Sequence, residues 1–186
     1  MFERYEVLQF WSSSDICPDQ CGETFVAFAS ALAREGLDYQ RLECGDQRRI
    51  GALLWTVLSP SEVRDTPASS NDNGNSLVLL LQYGSASFLF AGDLQSASEE
   101  EIWQIVLPRG PIAALLPHHA MDECVSERFL QWAHPELVVV SSDANDPDPG
   151  VISTLQEKSL RHFATFRDGT ICIFTDGCTF SERTER

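Results

Sequence analysis

Apolar and polar positions alternate and cluster along this chain in a way that predicts strands interleaved with helices. Residues 5–11 alternate weakly and end in Trp11, which predicts a strand. Between Thr24 and Arg34 the apolar residues at 25, 28, 29 and 32 share one helical face, and Gly36 stops the helix. Short strands are predicted at 37–42 and 53–58, with Cys44-Gly45-Asp46 turning the chain between them. Residues 59–75 are rich in Pro, Ser, Asn, Asp and Gly and read as a long loop, a feature often tied to function. Runs at 77–83 and 87–91 around Gly84-Ser85-Ala86 predict a hairpin. A capping box at Ser98–Glu101 predicts a helix to Leu107, ended by Pro108 and Gly110.

The second half continues the pattern. Strands are predicted at 112–116 and 137–141, with a helix at 122–133 between them. A short helix to Lys158 follows the turn-rich 143–150, then a strand near 161–165 that Asp168-Gly169 folds back onto 171–175. The charged end from Ser181 reads as frayed, leaving one domain over 1–180 and a tail over 181–186. Strands alternating with helices, together with two hairpins, imply a layered α/β domain built on a mixed sheet.

Length and composition narrow the class. A chain of 186 residues, 43% hydrophobic and 22% charged, is ordinary for one globular domain. No apolar run approaches the ~20 residues that cross a bilayer, and the first residues lack a secretory pattern, so a cytoplasmic location is expected. Twenty-eight acidic against 13 basic residues give a net charge of −15, which repels phosphate backbones. Nucleic acid is therefore not an expected partner of this chain alone. The six cysteines have no Cys-x-x-Cys spacing and read as reduced thiols.

Candidate chemistry sits between 73 and 119. Phe88-Leu-Phe-Ala-Gly-Asp93 ends an apolar run in a carboxylate, and Leu116-Pro-His118-His119 ends another in paired imidazoles. Asp and His at the carboxyl ends of neighbouring strands are the donors of hydrolytic metal sites. An Asp after Gly also turns chains or caps helices, and adjacent histidines in a loop can simply be solvated. Residues 1–72 hold no histidine, so only part of a ligand set is evident.

These motifs carry a resemblance. Leu58-Ser-Pro60, Asn73-x-Asn-Ser-Leu-Val78, Phe88–Leu94, Leu116–His119, Pro135–Ser141 and Arg167–Ile171, in that order, resemble the metallo-β-lactamase-like domain of the competence DNA-uptake channel family, ComEC-like, in its later half. The resemblance implies an αββα sandwich, here incomplete, with a mixed sheet, flanking helices and a metal site at the sheet edge. It implies Asp93 as a ligand bridging two metals and His119 as the terminal ligand. His118 would stand behind the ligands or touch substrate, acting with Asp93 in catalysis, and which histidine ligates is left open. The implied cofactor is zinc or another divalent ion, and the implied reaction is phosphodiester hydrolysis.

The chain departs from that pattern in several places. The family's His-x-His-x-Asp-His loop is absent. The usual Gly-Ser after the paired histidines is Ala120-Met121, the usual Gly-His-Pro is Pro147-Asp148-Pro149, and the usual Thr-Asp is Thr165-Phe166. Two protein donors hold an ion weakly, so the expectation is a degenerate domain acting by binding or association. The alternative is a nuclease-type hydrolase completed by a missing or separate N-terminal half. Half a sandwich leaves apolar sheet exposed, which implies a homodimer or a separate N-terminal half-domain chain as partner.

Overall fold

In the computed structural model the described residues are 9–13, 23–60, 76–95, 101–145 and 147–186. In chain order the elements are β1 (Gln9–Ser12), α1 (Glu23–Arg34), β2 (Asp38–Arg41), β3 (Gln47–Ile50), β4 (Leu53–Ser59), β5 (Val78–Tyr83), β6 (Ala86–Phe90) and β7 (Ile112–Leu115). Then come α2 (Glu123–Ala133), β8 (Leu137–Val140), α3 (Pro149–Glu157), β9 (Arg161–Ala164), α4 (Thr165–Asp168), β10 (Thr170–Thr175) and β11 (Phe180–Glu185).

β3 to β9 form one seven-stranded sheet in sequence order. Pairing is antiparallel from β3 to β6 and parallel from β6 to β9. The split follows from the connections. Short turns join β3 to β4 and β5 to β6, whereas the crossovers after β7 and β8 carry the helices α2 and α3, as parallel pairing requires. The mixed sheet with flanking helices expected from the sequence is thus the architecture observed.

The two faces of the sheet differ. One register row runs Leu80, Leu89, Ala114, Val138, and these side chains pack with Phe129, Leu130 and Ala133 of α2 and Val151 and Leu155 of α3 into the main core. Both helices are started by side chains. Asp122 accepts from the Val125 amide at 3.0 Å, and Asp148 accepts from the Gly150 amide at 2.7 Å with Pro149 at the first helical position. The opposite face carries the rows Trp55, Leu81, Phe88, Ala113, Leu137, Arg161 and Val57, Leu79, Phe90, Leu115, Val139, Phe163.

Two short ribbons lie against that second face. β1 and β2 pair in parallel, and Trp11 meets Trp55 with ring centroids 6.4 Å apart. β10 and β11 pair antiparallel, and Phe180 meets Phe88 edge-on at 5.2 Å. Phe180, Ala86, Ala113 and Leu137 form the small core beneath this second ribbon. Its loop is locked to the β5–β6 turn, because the Gly177 carbonyl accepts from the Ser85 and Ala86 amides. A Cβ on Gly84 would stand 2.5 Å from that same carbonyl oxygen, so the turn needs glycine both for its φ of +63° and for this approach.

Several sequence expectations are corrected. Residues from Ser181 are not frayed: Phe180–Glu185 is β11, with all six residues in register with β10. Asp168-Gly169 does not fold β9 onto β10, because Thr165–Asp168 is a helical turn and the two strands lie in different sheets. β3, whose sequence Gln-Arg-Arg-Ile lacks apolar alternation, escaped the hydrophobic pattern. The predicted helix from Ser98 is, among the described residues, a single 3₁₀ turn at Ile102–Gln104, and residues 96–100 lie outside them. Residues 5–8 of the first predicted strand and the 61–75 loop also lie outside.

Two phenylalanines measure the asymmetry of the faces. Phe129 is 0% exposed and Phe90 is 37% exposed. Phe129→Ala is expected to cost about 3–5 kcal/mol, and Phe90→Ala no more than about half of that. Urea midpoints at unchanged m-value check both.

Candidate functional site

Because β6 to β9 are parallel, all four end at one edge of the sheet, where open α/β sheets bind ligands. Gly92-Asp93 follows β6, Pro117–Ala120 follows β7, Ser141-Ser142 follows β8 and Thr165 follows β9. Backbone hydrogen bonds tie these ends together. The His118 amide donates to the Gly92 carbonyl at 3.0 Å, the Leu116 amide to Val139 at 3.0 Å, and the Asp148 amide to Ala120 at 2.9 Å. Further along, Thr165 Oγ1 accepts from the Ser142 amide at 2.9 Å and donates to the Ser142 carbonyl at 2.7 Å.

Asp93 and His119 converge. His119 Nε2 stands 3.8 Å from Asp93 Oδ1, with about half of each side chain exposed. That distance exceeds a hydrogen bond but leaves both donors facing one small volume. His119 Nδ1 lies 2.6 Å from the Ser141 carbonyl oxygen. A carbonyl only accepts, so Nδ1 donates to it, and Nε2 faces Asp93. This orienting contact is what a metal-binding or proton-accepting imidazole uses. His118 is placed differently. It is half-buried, and the Gln95 amide nitrogen lies 3.0 Å from Nδ1 and 3.2 Å from Nε2. The sequence motif thus splits, with one ring facing Asp93 and the other Gln95.

The turn that presents these rings is strained. His118, His119 and Ala120 have φ of +45°, +57° and +63°. Each lies in the left-handed region that costs a non-glycine residue about 1–2 kcal/mol. Ala120, in the position where the resembled family carries glycine, keeps the backbone shape and buries its methyl completely. On the neighbouring loop Asp148, within the altered Pro147-Asp148-Pro149, caps α3 and ties to Ala120. Phe166, where an acid is usual, is 42% exposed. Nothing in the sequence marked Gln95 or the Ser141 carbonyl. They enter the site only because β6, β7 and β8 are neighbours.

A divalent ion does not fit the donors brought together. Asp93 and His119 are two, whereas catalytic zinc takes three protein ligands and structural zinc four. Among the described residues no group of three His, Cys, Asp or Glu could hold an ion. The carboxylate of Asp168, two strands along, is committed elsewhere. It is held below the usual carboxylate range, chiefly by the hydrogen bonds from Arg167, and it also accepts from the Ala164 amide at 2.9 Å.

Comparisons with known proteins agree with the motif order. The chain is 29% identical over 145 residues to ComE operon protein 3 of Bacillus subtilis (strain 168), a match covering 76% of this chain and 18% of that protein. The chain is similar to that protein over three quarters of its own length. It resembles the metallo-β-lactamase-like domain of that family, as its motifs indicate, and it spans less than a fifth of the relative's length. No family model matches the chain. Among solved structures, a CmlA beta-hydroxylase E377D mutant aligns at a TM-score of 0.47 and 14% identity, over 73% of this chain and 34% of that one. That likeness is too loose to argue from.

Two outcomes are expected from this geometry. Ala120→Gly relieves the left-handed cost but loses a buried methyl worth about 0.8 kcal/mol, so it should be neutral or raise stability by up to about 1 kcal/mol in urea unfolding. Asp168 has its folded pKa depressed, so its contribution is present above the unfolded value of about 3.9 and lost as pH falls through the lower folded value. Asp168→Asn should therefore destabilise at pH 7, and its difference from the parent should shrink below about pH 3.9.

Proposed function

We propose that this chain is a ComEC-like domain of metallo-β-lactamase type whose metal site is degenerate, and that it works by binding or association and not by hydrolysis. The carrying observation is the donor count at the sheet edge. Asp93 and His119 face one another while His118 is engaged by Gln95. The altered residues support the same reading. Ala120 preserves the turn at a conformational cost, and Asp148 serves as a helix cap where the family would offer a histidine. The edge keeps its architecture while its donors thin out, which is what persists when selection holds the fold and releases the chemistry.

Location and partner belong to the same proposal. Among the described residues no helix is long and apolar enough to cross a membrane, and we place the chain in the cytoplasm. Its charge of −15 directs it away from free nucleic acid and toward neutral or basic protein surfaces. The alternative is a phosphodiester hydrolase completed in trans, and the specific support for it is the oriented Nε2 of His119 beside Asp93. Calorimetric titration with zinc and with manganese separates the two. The degenerate reading expects no saturable site tighter than about 10 µM, since two donors fall short of the three or four of a resident ion. Stoichiometric uptake below that concentration, abolished by Asp93→Ala or His119→Ala, would overturn it.

A further inference from the structure

The ladder between β8 and β9 ends at the pair Val140 and Ala164. Ser141 and Ser142 lie beyond it, yet Ser142 is held as a paired strand residue would be. Thr165 Oγ1 accepts from the Ser142 amide at 2.9 Å and donates to the Ser142 carbonyl at 2.7 Å. A hydroxyl has one hydrogen and two lone pairs, so a single side chain supplies both bonds. The Ser142 amide shares its peptide plane with the Ser141 carbonyl, and in a trans peptide the two groups point to opposite sides. That carbonyl is the one to which His119 Nδ1 donates at 2.6 Å. One rigid peptide unit is thus gripped on one side by Thr165 and on the other by the ring of His119, whose Nε2 faces Asp93.

We infer that Thr165 is a positioning residue of this edge: its hydroxyl fixes the Ser141–Ser142 peptide plane, and the plane fixes the direction of the His119 ring. The inference rests on the proposal in taking this edge as the site, and it adds that the imidazole is aimed from β9, outside the Asp93–His119 pair. About half of the His119 side chain is exposed, so packing constrains the ring weakly. Its contact to Ser141 at 2.6 Å is far shorter than that to Asp93 at 3.8 Å, so the carbonyl sets the ring. A peptide plane whose N–H is tied cannot swing its carbonyl away, because the unit turns as one body. Successive hydrogen bonds through that unit also polarise one another. Thr165 is itself held by α4. Its carbonyl accepts from the Gly169 amide at 2.9 Å. Asp168, gripped by Arg167, accepts from the Ala164 amide at 2.9 Å.

The test is NMR of the full chain in alkaline buffer, where imidazoles are neutral. Ring nitrogens are read through the carbon-bound ring protons, and His119→Gln assigns the signals by their loss. In the parent chain His119 should hold its proton mainly on Nδ1. Thr165→Val keeps the side-chain shape and removes the hydroxyl. The ratio of the Nδ1–H form to the Nε2–H form should then fall about fivefold, the factor equivalent to one net hydrogen bond. Thr165→Ser keeps the hydroxyl and should stay within about twofold of the parent. His134, which caps α2 at the other end of the crossover, should be unmoved in both. Unchanged His119 nitrogens in folded Thr165→Val, or an equal fall in Thr165→Ser, overturns the inference. If Thr165→Val does not fold, Thr165→Ala takes its place, and the Ser142 amide of the parent chain gives a second reading. Slow exchange of that amide supports the grip, and exchange as fast as that of an unbonded amide overturns it. None of these readouts involves a metal, so their failure is distinct from failure of the degenerate-site reading, which calorimetry with zinc decides.

Discussion

The parallel pairing of β6, β7, β8 and β9 is the constraint on which the site depends. It brings four strand ends, separated by up to about 75 positions in sequence at ~25 per crossover, to one edge of the sheet. The hydrogen bond from the His118 amide to the Gly92 carbonyl then fixes the β7 turn against the β6 turn. Both contacts are made by backbone, so side-chain chemistry at this edge can change while the frame stays. The same backbone frame holds Asp93 and His119 facing one another.

Strain at Pro117–Ala120 follows from the same frame. The turn must leave β7, accept the docking of Gly92 and offer its carbonyl to Asp148, and three successive residues take positive φ to do so. Glycine would meet that demand at little cost, and Ala120 meets it against its own preference. Burial of the alanine methyl offsets part of the expense, since the contact lies in the main core. The turn is therefore held by packing on one side and hydrogen bonding on the other, with the histidine rings carried passively at its tip.

Much of this was legible in the residues, and the exceptions have physical causes. Strands β5, β6, β7 and β8 are apolar runs bounded by Gly, Ser or Pro, and helices α2 and α3 announce themselves by Asp caps, so pattern and punctuation agree. β3 was missed because an edge strand needs no buried face, and its two arginines protect a sheet margin. β11 was read as a tail because Ser-Glu-Arg-Thr-Glu looks solvated, yet only alternate residues of a ribbon meet the sheet, and Phe180 anchors the start. Asp168-Gly169 suggested a hairpin, but the Arg167–Asp168 contacts and the Ala164 amide close a helical turn there instead. At the site, residue types pointed to Asp93 and the two histidines. What they could not reveal was the division of labour between the rings, which depends on Ser141 and Gln95, each on a neighbouring strand end.

The two sheet faces differ in what packs on them, and both border the edge where Asp93 and His119 converge. One face is sealed by α2 and α3 with Leu89, Val138 and Val140 fully buried, and it supplies the stability of the domain. Among the described residues, the other is floored by Trp55, Phe88, Phe90 and Leu115 and meets the two ribbons at Trp55 and Phe88. In a complete sandwich, the layer that covers such a floor also supplies ligands at the edge, because both sheets border the site. Exposed apolar floor promotes aggregation unless a partner uses it. Phe90, the exposed ring of this face, stands two residues before Gly92-Asp93, so the face borders the edge where His119 and Asp93 converge.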